Sequence, residues 1–325
     1  MVLSLLVGAA SGVIGAAWTT AYVSDYAASL GSAVSPLRAP RSPASPAFAD
    51  IRDQAFASTA QLYAARTDAP DPFHADRQGI VLTSDGWILA SDPGRPLLTA
   101  LIGRRVYAVQ REIPDAVSET VFLKVDAQDL SPVGFGDAFG VQAGDEGELL
   151  DGRGSFRRAT VISVTRPADY ASDRPARRIA TDAPASSAGA PWFGGTGNFL
   201  GFVSADATLS PVNGMLPAVR SVLADQTVKR ASLGVTAADL SQILLPAASP
   251  SSAPNVGARV LSVAKGSAAE AAGVRVGDVF LAWDGRTVDA AHPLDELLLG
   301  DAPKQTVAAA LQRGAAQMDV TLVLP

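Results

Sequence analysis

At 325 residues, with 26 basic and 32 acidic side chains, the chain carries a formal net charge of −6, which excludes a nucleic-acid surface of the usual basic kind. Its 48% hydrophobic content is that of a globular protein of two or three domains with ample core. Cysteine is absent, which excludes disulfides, a thiol nucleophile and zinc–thiolate sites. Histidine occurs only at His74 and His292, a scarcity that bears on any acyl transfer needing an imidazole base.

Residues 2–23 (VLSLLVGAASGVIGAAWTTAYV) contain no charge. At ~1.5 Å per residue such a helix crosses the roughly 30 Å hydrocarbon core. Trp18 and Tyr22 suit a membrane interface. No basic segment precedes the stretch, so an uncleaved transmembrane helix over 1–24 is expected rather than a signal peptide. Gly8 and Gly12 form a GxxxG pair that allows close helix approach in lipid. Residues 25–49, rich in Pro, Ser and Ala, read as an extended linker. Helical spacing over 50–65 predicts a short helix leading into the first globular domain.

From 79 to about 204 short apolar runs alternate with Gly, Asp and Pro turns, the pattern of an all-β barrel or sandwich. A hairpin is expected at 80–82 and 87–90 around Ser84-Asp85-Gly86. VFLKVD (121–126), ATVISV (159–164) and NFLGFVSA (198–205) are further strand candidates. Residues 169–178 carry charge and Pro without periodicity and read as a surface loop, and 211–228 return to a helical pattern. From 231 to the end lies a separate unit. In it GSAAEAAGVRVGDVFLAWDGRTV (266–288) predicts a small-residue helix ending at Gly273, a Gly277-Asp278 turn and two strands about Asp284-Gly285. A second short helix over 295–299 and strands over 307–311 and 320–324 complete it. No phosphate loop is present, the glycines of 134–147 lack a dinucleotide-binding setting, and the acidic residues show no metal-ligand spacing, so neither cofactor nor metal is expected.

Two stretches carry a family resemblance. Residues 266–279 keep the Gly-Ser … Ala-Gly-Val-x-x-Gly-Asp-Val spacing of the PDZ domain in HtrA (DegP-like) proteins. Residues 181–191, TDAPASSAGAP, resemble the nucleophile loop of the trypsin-fold HtrA proteases, which runs Thr-Asp-Ala and then Gly-Asn-Ser-Gly-Gly-Pro. The segment 133–147 resembles the family's Leu-Gly-Asp … Val-Gly-Asp piece. The resemblance implies a mainly β fold: a trypsin-like double β-barrel over 50–229, then an α+β PDZ domain over 230–325, behind the N-terminal helix and linker.

Aligned residue by residue, the loop is two residues short and the nucleophile position is Ala188. The base position after Gly86-Trp87-Ile88-Leu89 is Pro93, or Asp92 with a one-residue slip. Glu119 stands where the orienting acid precedes Leu123-Lys124. A methyl group cannot attack a carbonyl, so the resemblance implies a pseudoprotease. Ser186 and Ser187 adjoin the nucleophile position but are expected to point elsewhere, and neither histidine is placed to act as base. The competing expectation is an active serine endopeptidase whose true triad is offset from this alignment.

A PDZ domain captures a free carboxyl terminus by adding the peptide as a strand, with loop amides taking the carboxylate. Ser232, Leu233, Gly234 and Val235 stand where the family has its carboxylate loop, and Leu294 and Leu298, four apart, share a facing helical side. The implied partners are peptide or protein C-termini. By resemblance the chain is also expected at a bacterial inner membrane, single-pass and facing the periplasm, as a homo-trimer or in mixed oligomers with active relatives, and without nucleic acid. A structural subunit would instead fill its groove with its own segment, and residues 240–253 are the candidate for that.

Overall fold

The computed structural model describes residues 48–151, 153–242 and 255–325. The expected anchor over 1–24, all but the end of the 25–49 linker, and 243–253 of the insertion lie outside the described residues. Among the described residues no helix is long and apolar enough to cross a membrane.

The chain enters through α1 (Phe48–Ala57). The helix expected to reach residue 65 stops there. The Ser58 hydroxyl donates back to the carbonyls of Gln54 and Ala55 at 3.1 and 3.2 Å, and its N–H does the same at 3.3 and 3.2 Å. Such local bonding competes with further helix. Beyond it, Thr59–Tyr63 is strand β1, buried along most of its length and laddered on both sides. That two-sided pairing outweighs the weak helical spacing.

The expected hairpin forms as β2 (Arg77–Val81) and β3 (Trp87–Ser91), followed by β4 (Thr99–Ile102), β5 (Arg105–Asp115) and β6 (Thr120–Val125). They close into a barrel in the order β1-β2-β3-β6-β5-β4 around Leu62, Val81, Ile88, Leu97, Leu123 and Val125. Closure leaves no unpaired edge.

Next come β7 (Glu146–Leu150), β8 (Phe156–Thr165), β9 (Asp169–Ala171), β10 (Arg178–Thr181), β11 (Pro191–Gly194), β12 (Phe199–Val203) and β13 (Thr208–Pro211). All but β9 close a second barrel, β10-β13-β12-β11-β7-β8. Its largest fully buried side chains are Trp192, Phe193, Phe199 and Phe202. Helix α2 (Leu216–Asp225) then buries Leu216, Val219 and Val222, a shorter helix than the 211–228 pattern suggests.

The C-terminal unit is built from β14 (Val235–Asp239), β15 (Ala258–Val263), α3 (Ala268–Ala271), β16 (Val279–Trp283), β17 (Arg286–Thr287), α4 (Leu294–Leu298), β18 (Thr306–Arg313) and β19 (Ala316–Val323). Its sheet runs β19-β18-β16-β15-β14-β9. The last strand is the one missing from the second barrel. The first part of the expected 169–178 loop, through Ser172, is therefore not a solvent loop. Tyr170 and Ser172 alternate inward at 5% and 1% exposure, while Asp169 and Ala171 face out. Asp169 lies on the outer face of this strand, while Asp173 and Arg177 are engaged by the C-terminal unit, and the mixture of charges hides the period of two.

The Gly277-Asp278 turn is held by the Arg313 guanidinium, whose Nε and Nη2 each donate to Asp278 at 2.7 Å. These bonds, with the Arg275 N–H, hold the Asp278 carboxyl below the usual carboxylate range despite its burial. A depressed folded-state pKa stabilises the fold above the unfolded value and loses that contribution as pH falls through it. Asp278→Asn is expected to cost about 1–2 kcal/mol at neutral pH. That deficit should shrink below a pH of roughly 4, where wild type loses the same contribution. Thermal unfolding of both forms between pH 7 and 3 checks it.

Candidate functional site

Two places on this frame bear chemistry. The first is a cleft of about 190 Å³ between the barrels, where the end of β3, the turn before β6 and the loop before β11 meet. Arg77, Asp92, Glu119, Ala188 and Gly189 line it. The Asp92 N–H donates to the Glu119 carbonyl at 2.9 Å, and Glu119 takes a left-handed φ of 54°, uncommon for a side chain of its size. The structure thus brings together the positions aligned with nucleophile and acid. At the aligned base position Asp92, rather than Pro93, is the lining residue.

No histidine lines this cleft. The His74 ring is exposed, with Nδ1 2.6 Å from Asp71, and the exposed His292 sits 3.2 Å from Asp289 in the C-terminal unit. The loop before β11 contains a short 3₁₀ turn, Ala185–Ser187. Its Ser187 N–H donates to Pro184 (2.8 Å), the Gly189 N–H to Val203 (2.7 Å) and the Ala190 N–H to Ser187 (2.9 Å). These three amides are committed to carbonyls within the fold. Ser187 is buried at 3%, and Ser186 is exposed.

An arginine occupies the floor. Gly189 has a left-handed φ of 83°, and a Cβ added there would lie 2.9 Å from Arg77 Cδ. Glycine is what lets the Arg77 stem pass beneath the loop. The Arg77 Nη1 donates to the Asp76 carbonyl at 2.8 Å, and its Nε is buried with no partner among the described residues. Burial, then repulsion from Arg95, lowers its pKa from the ordinary arginine value against the pull of Asp76 and Asp92. Nothing about a basic residue at a strand start distinguishes Arg77 in the sequence.

The second place is the groove along β14. Leu233, Val235, Leu294 and Leu298 are all under 5% exposed and belong to one cluster, so the strand and the facing helix α4 do meet. Gly234 takes a left-handed φ of 77°, and a Cβ there would run into Ser267. That conformation turns the loop amides toward the groove, which holds the chain's own strand. β9 pairs antiparallel with β14, Ala171 opposite Thr236, Tyr170 opposite Ala237 and Asp169 opposite Ala238. Beyond the ladder the Ser172 N–H donates to the Val235 carbonyl (2.9 Å), and the Val235 N–H to Ser172 Oγ (3.2 Å). Tyr170 packs into the core of the C-terminal unit.

The Asp173 carboxylate ends this strand in the 232–235 loop. Its Oδ1 accepts from Leu233 N–H (2.8 Å), Gly234 N–H (3.1 Å) and Ser172 Oγ (2.7 Å), and its Oδ2 from Ser232 Oγ (2.5 Å). All four predicted loop residues thus contact one segment, 172–173. The residual cavity beside it is about 10 Å³, with no room for a second chain.

An ionic clamp fixes the same segment to α4. Arg166 pairs with Asp295 and donates to Glu296 at 2.9 Å, while Arg177 reaches Glu296 through Nε (2.9 Å) and Nη2 (3.1 Å). The Ala176 N–H donates to Asp295 Oδ2 at 2.7 Å, and Arg166 stacks 4.7 Å from the centre of the Tyr170 ring. Asp295 is fully buried, and burial pushes its carboxyl up while Arg166 opposes. Tyr170, Ser172 and Asp173 escaped sequence reasoning. The signal available was the buried-exposed alternation Tyr-Ala-Ser between Pro167 and Arg174.

Residues 231–324 match the family model of the PDZ domain. A curated relative, a probable periplasmic DegP-like serine endoprotease of Hahella chejuensis, is 24% identical over 275 residues, covering 79% of this chain. The match spans only 58% of that relative's length. Among solved structures, the HtrA-type protease AlgW with a decapeptide superposes with a TM-score of 0.59 at 16% identity, over 86% of this chain and 98% of AlgW. A serine endoprotease from Yersinia pestis gives 0.53 at 14%, over 88% and 98%. Barrel pair, loop order and C-terminal unit agree with one architecture: the chain has the trypsin-type double-barrel fold of the HtrA-type proteases, followed by a C-terminal PDZ domain.

Proposed function

We propose that this protein is a pseudoprotease: an HtrA-like frame that has lost peptide cleavage and acts through its PDZ groove as a scaffold or regulator in extracytoplasmic protein quality control. The observation that carries this reading is the cleft itself. Where a trypsin-type triad would stand, the lining offers Asp92, Glu119 and Ala188 over an arginine, and no imidazole. Without nucleophile and base, acceleration falls to what binding and residual polarisation supply.

The remaining activity is recognition. AlgW is known in complexes with a decapeptide and with a tripeptide, and the 232–235 loop of this chain receives the carboxylate of its own Asp173, the contact an incoming C-terminus would have to replace. Peptide or protein C-termini are the ligands this site suits. A periplasmic location, anchorage by 1–24, and assembly as a homo-trimer or with active relatives belong to the same proposal. The expected result is that a fluorophosphonate probe does not label the full chain and that casein is not hydrolysed. Labelling abolished by Ser186→Ala or Ser187→Ala would instead establish an active serine and overturn the reading.

A further inference from the structure

We infer that residues 168–173 are a tethered pseudo-ligand: the chain keeps its own PDZ groove closed, and a free carboxyl terminus binds only by displacing this strand. The inference rests on reading the groove as a site for C-termini. Three independent features of the segment match what such a ligand must present. It adds an antiparallel strand to the edge of β14 opposite β15. It sends alternate side chains, Tyr170 and Ser172, inward. It ends in a carboxylate on the Leu233 and Gly234 amides and the Ser232 hydroxyl.

The Asp173 carboxylate is a side chain, so the backbone runs on to Arg177 and β10 instead of ending. An α-carboxylate following a residue in the place of Ser172 reaches the same amides without that continuation. The two carboxylates therefore compete for one set of donors, and the residual space of about 10 Å³ forbids joint occupancy. A tethered competitor presents itself at an effective concentration on the order of millimolar. An external tail of equal intrinsic affinity then binds more weakly in proportion to the closed population. Residues 240–253, the segment expected to fill the groove, are not needed for this. Leu240 merely follows β14 in a 3₁₀ turn.

The absence of cysteine makes the test direct. Ala171 and Thr236 are opposed in the ladder, so Ala171→Cys with Thr236→Cys places the only two thiols of the chain across the strand pair. The probe is a fluorescein-labelled peptide of residues 168–172, Ala-Asp-Tyr-Ala-Ser, with a free C-terminal carboxylate, and its C-terminal amide serves as control. Fluorescence anisotropy on the full chain is expected to show weak binding to wild type and to the reduced double variant. The oxidised, cross-linked form should show none, and addition of reductant should restore the signal. Asp173→Ala, which removes the carboxylate from the loop, is expected to strengthen probe binding about ten-fold. Circular dichroism checks that the variant is folded.

Equal affinity in wild type, Asp173→Ala and the oxidised form would overturn the pseudo-ligand and leave peptide recognition standing. Absence of binding in every form, Asp173→Ala included, would overturn both. Binding that is indifferent to amidation would show that the carboxylate exchange is wrong.

Discussion

Phe199→Ala should destabilise the protein by about 3–5 kcal/mol, the usual cost of emptying a phenyl-sized space in a packed core. Phe199 is fully buried, and its ring centre lies 4.9 Å from Phe202, 6.2 Å from Phe193 and 6.4 Å from Phe135. Its edge-on contacts with Phe202 and Phe193 add to simple burial. The strand around it offers little scope for relaxation. Its backbone N–H and carbonyl bond Gly134 and Gly136, and β12 is laddered on both sides. The change should also reach the 181–191 loop, because the Val203 carbonyl of β12 holds the Gly189 N–H. Denaturant unfolding measures the first effect. Hydrogen exchange of the Gly189 and Ala190 amides, faster than in wild type, measures the second.

The parts legible in the sequence are those where backbone geometry restricts residue choice. Gly234 must be left-handed to turn its amide into the groove, and Gly189 must leave space for Arg77. Such positions show as glycines in fixed company, SLGV and AGAP, and both loops fall where their neighbours imply. Strand β5 was invisible for the opposite reason. RVYAVQREIPD is largely exposed along its length, and backbone pairing with β4 and β6 holds it rather than an apolar face. Alternation is readable only when one face is buried. The sequence offers 240–253 as the segment to fill the groove, most of which lies outside the described residues, and the segment found there is 168–173. Residues 240–253 look like an insertion, whereas 168–173 look like solvated loop. What settles the matter is a carboxylate 59 residues upstream of its hydroxyl partner, and no local pattern reports such a contact.

The cleft and the groove lie at opposite ends of one short covalent path. Residue 173 sits in the groove, 177 in the ionic clamp, 178–181 form β10, and the cleft loop starts at Thr181. What that path can transmit depends on how firmly the clamp holds.

Arg166→Ala should therefore have a larger effect than a surface substitution, about 3–5 kcal/mol, because it strands a charge rather than merely removing one. Asp295 is at 0% exposure, and its Oδ1 loses its cationic partner while Oδ2 retains only the Ala176 N–H. Burial already raises the Asp295 carboxyl, and without Arg166 it should rise further and take up a proton in place of the missing cation. The variant should consequently recover part of its lost stability as pH falls from 7 to 5, where wild type gains less. Arg166→Lys is expected to rescue only partly, since one ammonium cannot reproduce the fork that spans Asp295 and Glu296 or the stack on Tyr170. Equilibrium unfolding of wild type, Arg166→Ala and Arg166→Lys at both pH values measures this. Limited proteolysis at Arg174 and Arg177 should report the same loosening locally, with cleavage fastest in Arg166→Ala. An alanine variant as stable and as protease-resistant as wild type would mean that β9 is held by its ladder and by Asp173 alone.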